Sequence, residues 1–350
     1  LLGSERARVG DRPGYSTRFC SLRSLRGARL GEPRRQLLNV SRHTKGLGRC
    51  VYMGSTIWVD GPGSRLAVYV SGASTDPVVL LHGGPGVPDY LAPVAEILAL
   101  RHQVIRYDQR GTGQSTAEMG RFGLSEQVED LEAVRVALGL ERVSLFGHSW
   151  GGTLAQLYAR THPDRASKLF LSNSGIGLGE DWKRMERAVM RHNRSSAGVG
   201  GFALLGLWQL VSMLPGAIGD AGARRLMAIV WRNYFRPPSS APTPDADWLA
   251  GVRAKPIHST RNAAVRAEAD ELSDPGTDRE VVILFGEHDI YGSTAEPLFD
   301  RFPSARRVVL PDCGHVPWLQ SPDAFRDELC SFFDRRQPSG RGPGVADGVC

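Results

Sequence analysis

GHSWGG, residues 147–152, stands between a short β-branched and aromatic run, Arg142 to Phe146, and a segment of helix-forming composition from Thr153 to Arg160. Leu154, Leu157 and Tyr158 recur in that segment at helical spacing. The order predicted is strand, tight turn, helix. Within it Gly147-His-Ser-Trp-Gly151 fits the Gly-x-Ser-x-Gly pattern of a nucleophile elbow. There a serine sits on a strained turn, and glycine two residues to either side lets neighbouring backbone come close. A glycine-rich turn with an ordinary serine reads the same over five residues, so partners elsewhere must decide.

The 350 residues suffice for one large domain or two ordinary ones, and 41% hydrophobic with 23% charged residues is the balance of a globular chain. The net charge of +6 is unevenly spread. Residues 1–50 hold twelve Lys or Arg against three acids, Glu5, Asp11 and Glu32, and the remaining residues are net acidic by three. The body therefore offers no basic surface for nucleic acid. Residues 1–52 are Arg-rich and aperiodic, which predicts a disordered basic extension, excluded from the fold. It is either a transit peptide leading to an organelle or an upstream extension of a chain starting at Met53. A flexible tail is expected over 337–350. Cys20, Cys50, Cys313, Cys330 and Cys350 are scattered and odd in number, which argues against a disulfide framework or a zinc site and for a reducing, cytoplasmic setting. The uncharged stretch Gly200 to Gly219 has membrane length but contains Pro215. It reads as a buried or pocket-lining helix, and no membrane partner is expected.

From residue 55 strands alternate with helices. Ser55–Val59 and Leu66–Val70 read as a hairpin, and Pro77–Leu81 as a strand buried on both faces. Strands follow at Gln103–Tyr107, Lys168–Ser172, Glu280–Phe285 and Arg307–Leu310, with an amphipathic helix near Leu124–Leu138 and helices near 294–302 and 322–334. This is an α/β chain with a mostly parallel sheet and helices on both faces. Its core runs over 53–174 and 276–336. Residues 175–275 show helical stretches at 181–194, 202–213 and 222–235 and form a helical cap over the carboxyl edge of the sheet, where such sheets bind ligands.

A serine nucleophile needs a base and a carboxylate that orients it. The strand ending at Phe285 runs into Gly286-Glu-His-Asp289, and the strand ending at Leu310 into Pro311-Asp-Cys-Gly-His315. Asp289 as orienter and His315 as base fall just past successive strand ends, in the chain order Ser, Asp, His. Glu287 and Asp312 are the alternative acids. Donors for an oxyanion are expected from the N–H of Trp150 and from His82-Gly-Gly-Pro-Gly86, with Gly84 preferred to Gly83.

Three motifs together, His82-Gly-Gly-Pro-Gly86, Asp108-Gln-Arg-Gly-Thr-Gly-Gln-Ser115 and Gly147-His-Ser-Trp-Gly-Gly152, resemble the proline iminopeptidase family of α/β-hydrolases over about residues 55–335. The resemblance implies serine hydrolysis without a cofactor by Ser149, Asp289 and His315. It also implies cap acids that hold the free α-amino group of a small peptide. Family members often carry Trp-Glu in the cap, where this chain has Trp231-Arg232. The candidate acids are Glu180, Asp181, Glu186, Glu268, Asp270 and Glu271, and the candidate apolar lining is Phe202, Leu205, Trp208 and Leu214. Ser149 disfavours the dehalogenase and epoxide hydrolase branches, which use Asp at the elbow. Esterase, lactonase or amidase action on small acyl substrates stays open, as does a receptor-like module that keeps the pocket. Oligomeric state is not legible.

Overall fold

The computed structural model describes residues 55–272 and 279–335. The expected basic extension and tail lie outside the described residues. The strands are β1 (Ser55–Gly61), β2 (Ser64–Ser71), β3 (Pro77–Leu81), β4 (Gln103–Tyr107), β5 (Thr116–Ala117), β6 (Val143–His148), β7 (Ala166–Ser172), β8 (Glu280–Gly286) and β9 (Arg306–Leu310). They form one sheet in the order β1-β2-β4-β3-β6-β7-β8-β9, with β5 paired to β2. β1 and β2 are the antiparallel hairpin, joined through Gly61↔Ser64. β2 meets β4 antiparallel, and from β4 to β9 every pairing is parallel.

Period-two alternation explains how both faces are covered. In β3, Val78 and Leu80 pack into the cluster with α1 (Ala92–Leu98) and, at the far end of the chain, Phe325, Leu329 and Phe332. Val79 and Leu81 point the other way, onto α2 (Leu124–Ala137) and α3 (Trp150–Thr161). Each such buried side chain contributes about 1.5–3 kcal/mol. The strand order reverses between β3 and β6, which are neighbours at Leu81↔Gly147. A crevice opens at such a reversal on the carboxyl edge.

Between β7 and β8 the chain forms α4 (Gly179–Ser212), α5 (Gly216–Asn233), α6 (Ala246–Ala250) and α7 (Ala254–Arg266). α4 and α5 are an antiparallel pair. The sequence predicts two separate helices where α4 runs on, interrupted only at Gly198 with φ 65°. α8 (Glu296–Arg301), α9 (Pro317–Gln320) and α10 (Pro322–Phe333) complete the chain. Of the two readings of the uncharged stretch, buried or pocket-lining, full burial does not hold. The uncharged stretch from Gly200 to Gly219 is covered on one face only: Leu205 is buried, but Leu207, Leu210, Met213 and Ile218 are exposed. A helix apolar all round gives a period that cannot tell which face meets the body.

Candidate active site

Ser149 follows β6 and caps α3 with φ 55° and ψ −123°. A non-glycine residue there stores about 1–3 kcal/mol of backbone strain. The two glycines are required by approach rather than by conformation. A Cβ on Gly147 would stand 2.5 Å from the carbonyl oxygen of Gly151, and one on Gly151 only 2.0 Å from that of Leu81. The elbow is thereby pressed against the end of β3.

Asp289 and His315, from the loops after β8 and β9, meet with 2.6 Å between Oδ2 and Nδ1, both fully buried. Two further groups hold the carboxylate. Asn173, the first residue after β7, donates its amide to Oδ2 at 2.6 Å and to the Gly314 carbonyl at 3.1 Å. The Tyr291 N–H donates to Oδ1 at 2.7 Å. His315 Nε2 is buried without a hydrogen-bond partner among the described residues, and the Ser149 hydroxyl lies 3.3 Å from that of Tyr291. Of the alternative acids, Glu287 accepts from the Asp312 N–H at 3.1 Å and neither meets His315. Burial pushes the Tyr291 hydroxyl well above its ordinary pKa, so it stays protonated.

The loop after β3 is tied to the elbow by side chains from the other two motifs. Gln109 donates from its backbone to His82 Nε2 at 3.2 Å and from its side chain to the His82 carbonyl at 2.9 Å. Its amide oxygen accepts from Trp150 Nε1 at 2.9 Å. Asp108 accepts from Tyr69, from the Asp89 N–H and from the Gln114 N–H, while Arg110 and Asp130 form a fully buried pair at 2.6 Å. The Gly83 N–H donates to the Tyr90 hydroxyl at 2.8 Å. Gly84, with φ 129°, makes no such bond among the described residues and borders the site, as does Trp150 at the first position of α3. An N–H at that position has no partner inside its own helix.

His148 joins these parts. Its Nε2 lies 2.7 Å from the His315 carbonyl, which can only accept, so Nε2 carries the proton and Nδ1 is an acceptor. The Tyr90 hydroxyl therefore donates to Nδ1, at 2.6 Å. Burial first, and the neighbouring His315 second, hold the His148 pKa well below its ordinary value, which keeps this tautomer neutral.

Above the edge lies a cavity of about 1270 Å³ with Gly84, Trp150 and Tyr291 on its floor. Beside Ser149 is a recess of only about 20 Å³, bounded by Met227, Trp231, Tyr234 and Trp248, with Gly84 common to both. Phe202, Leu205 and Leu214 line the cavity. Trp208 does not. The cavity-facing positions Phe202, Leu205, Gly206, Gln209 and Ser212 recur in steps of three and four, and Trp208 falls beside that stripe. Of the candidate acids whose side chains are described, only Glu186 lines the cavity. Arg261 grips both its oxygens, and Trp182 donates to Oε1 at 3.0 Å. Exposed Glu180 pairs with Lys183 and Asp181 with Arg184, while Glu268 and Glu271 are exposed. The Asp270 side chain lies outside the described residues. Sequence reasoning missed Asp220, on the cavity wall beside Arg253. It missed Tyr291, Asn173 and the bracing role of His148 as well.

Comparison with known proteins agrees with this architecture. The chain is 26% identical over 298 residues to a proline iminopeptidase of Lactobacillus delbrueckii subsp. lactis, covering 75% of this chain and 92% of that protein. It is 40% identical over 111 residues to one from Xylella fastidiosa (strain 9a5c), a match covering 31% of this chain and only 34% of that relative. The solved proline iminopeptidase of Mycobacterium smegmatis superposes with a TM-score of 0.59 at 26% identity, over 80% of this chain and 98% of that one. An enol-lactonase from Burkholderia xenovorans LB400, at 21% identity and TM-score 0.57 over 80% of this chain and 100% of that one, shares the fold. The family model described as alpha/beta hydrolase fold matches residues 76–322, and the chain belongs to that family.

Proposed function

We propose that the protein is a serine hydrolase that works through an acyl-enzyme, and that it is an aminopeptidase similar to the proline iminopeptidases. One observation carries the chemistry: a serine held at φ 55° on the same sheet edge as a buried Asp–His pair at 2.6 Å. Ser149 Oγ attacks the scissile carbonyl carbon and its proton passes to His315 Nε2. The Gly84 and Trp150 N–H groups receive the oxyanion, Asp289 stabilises the imidazolium, and the proton leaves with the amine. Water, deprotonated by His315, then releases the acyl group.

For substrate the reading rests on Glu186. A carboxylate offers about four acceptor positions. Arg261 takes two and Trp182 a third, which leaves one for a substrate ammonium. The esterase or lactonase reading stands second, because both acids on the cavity wall, Glu186 and Asp220, already face arginines. Hydrolysis of proline and alanine arylamides, their N-blocked analogues and short p-nitrophenyl esters separates the two. Under the aminopeptidase reading Glu186→Gln raises KM for free amines far more than for blocked ones. Equal effects, with esters the faster substrates throughout, put the esterase in its place.

A further inference from the structure

The outer face of the cap tip carries apolar side chains that the hydrolase reading does not use. Val199, Ala203, Leu207 and Leu210 follow one another at steps of four, four and three on α4, a single stripe. Val199 is 91% exposed, Leu210 66%, and Met213 and Ile218 at the α4–α5 turn are nearly as open. No charged residue occurs from Ser195 to Gly219. α4 is the one helix among the described residues long and apolar enough to cross a membrane, with mean hydropathy 1.2 and only 11% of that stretch buried. It is not a span here, since its opposite face, through Phe202, Leu205 and Gln209, lines the catalytic cavity.

Charge says what covers the outer face. Arg191 and Arg194 before the apolar run and Arg225 after it are exposed, and none has an acidic partner among the described residues. A second copy packed on the stripe about a twofold axis would bring Arg225, which lies alongside it, towards its own counterpart. A layer of anionic headgroups over acyl chains satisfies both the apolar stripe and the arginines that border it, Arg225 lying on α5 alongside the stripe. The stripe is continuous with the cavity mouth, because Met213 and Leu214 are exposed and also line the cavity. We propose that the cap tip docks on an anionic lipid surface, Leu207, Leu210 and Ile218 entering the acyl region and Arg191, Arg194 and Arg225 meeting phosphates, so that the cavity opens at the interface.

The test is cosedimentation of the full chain with vesicles of phosphatidylcholine alone or mixed with phosphatidylglycerol. The basic residues 1–50 attract anionic vesicles by charge alone, a contribution that about 0.5 M salt screens. Binding to mixed vesicles that persists at that salt, and falls about tenfold or more in Leu207→Glu/Leu210→Glu, is the expected result. Leu100→Glu, at a still more exposed leucine on the body, leaves binding unchanged. Arg191→Gln/Arg194→Gln/Arg225→Gln lowers the preference for anionic over neutral vesicles. Near-ultraviolet circular dichroism checks that each variant is folded. Unaltered binding of the double glutamate variant overturns the proposal, as does wild-type binding abolished by salt. A dimer in light scattering that the same variant dissociates, without vesicle binding, assigns the stripe to a second copy instead.

Discussion

The Ser149 hydroxyl lies 3.3 Å from that of Tyr291, while the ring of Tyr291 stands edge-on to His315 with centroids 5.0 Å apart. The serine thus has a partner other than the histidine proposed as its base. The bond from Ser149 to His315 Nε2 is not made here, and catalytic hydrogen bonds of this kind tighten when substrate arrives. Tyr291→Phe keeps the backbone N–H that orients Asp289, so kcat should change by less than about tenfold, against several orders of magnitude for Ser149→Ala. Steady-state kinetics on one ester decide it. A loss in the phenylalanine variant equal to that of Ser149→Ala would make the phenol part of the reaction.

Asp289→Asn leaves the serine and histidine present but spoils the tautomer that His315 needs, with an expected loss of up to ~10⁴ in kcat. Glu287→Gln and Asp312→Asn should be nearly silent, because neither side chain meets His315. Asn173→Ala, which frees one oxygen of Asp289 from its amide donor, should fall between the two extremes.

Acid should destabilise the fold through His148. Its folded pKa is depressed below the ordinary 6.5 while the unfolded chain keeps that value. The unfolded state then binds the extra proton, so the stabilisation is present above pH 6.5 and is lost as pH falls towards the folded pKa. Denaturant unfolding at steps below pH 6.5 should show a slope of up to about 1.4 kcal/mol per pH unit from this group. His148→Gln should remove that share of the slope. An unchanged slope in the variant refutes the assignment.

Gly151→Ala should be more damaging than its size implies. The added Cβ would overlap the Leu81 carbonyl, so the ends of β3 and β6 must part. The expected destabilisation is about 3 kcal/mol or more, with activity lost because the Gly84 loop moves with β3. Thermal unfolding of Gly151→Ala beside Thr161→Ala, at the exposed end of the same helix, measures the difference.

The sheet was legible because its strands are short apolar runs bounded by turn residues, as in Pro77–Leu81. That Ser149, Asp289 and His315 share one sheet edge was legible because position after a strand, not side-chain contact, places them there. Tyr291 lies in an aperiodic loop and His148 at the unspecified position of the elbow pattern, so neither leaves a signal in the chain. Asn173 had one: it follows the strand beside β6 and so shares the edge with Ser149. The cap resisted for another reason. With Leu205 and Leu207 both apolar, periodicity finds the helix but cannot orient it.

The end of α5 is joined to the proposed base, since the His315 N–H donates to the Tyr234 carbonyl at 2.8 Å and the two rings lie 4.6 Å apart. A Cβ on Gly314 would stand 2.4 Å from the same carbonyl. Recombining caps among members of the fold is therefore not a matter of cutting at strand ends. A chimera that imports a foreign cap must bring a residue shaped like Tyr234 and keep glycine at 314, or the histidine loop it inherits will be set for a lid that is no longer there.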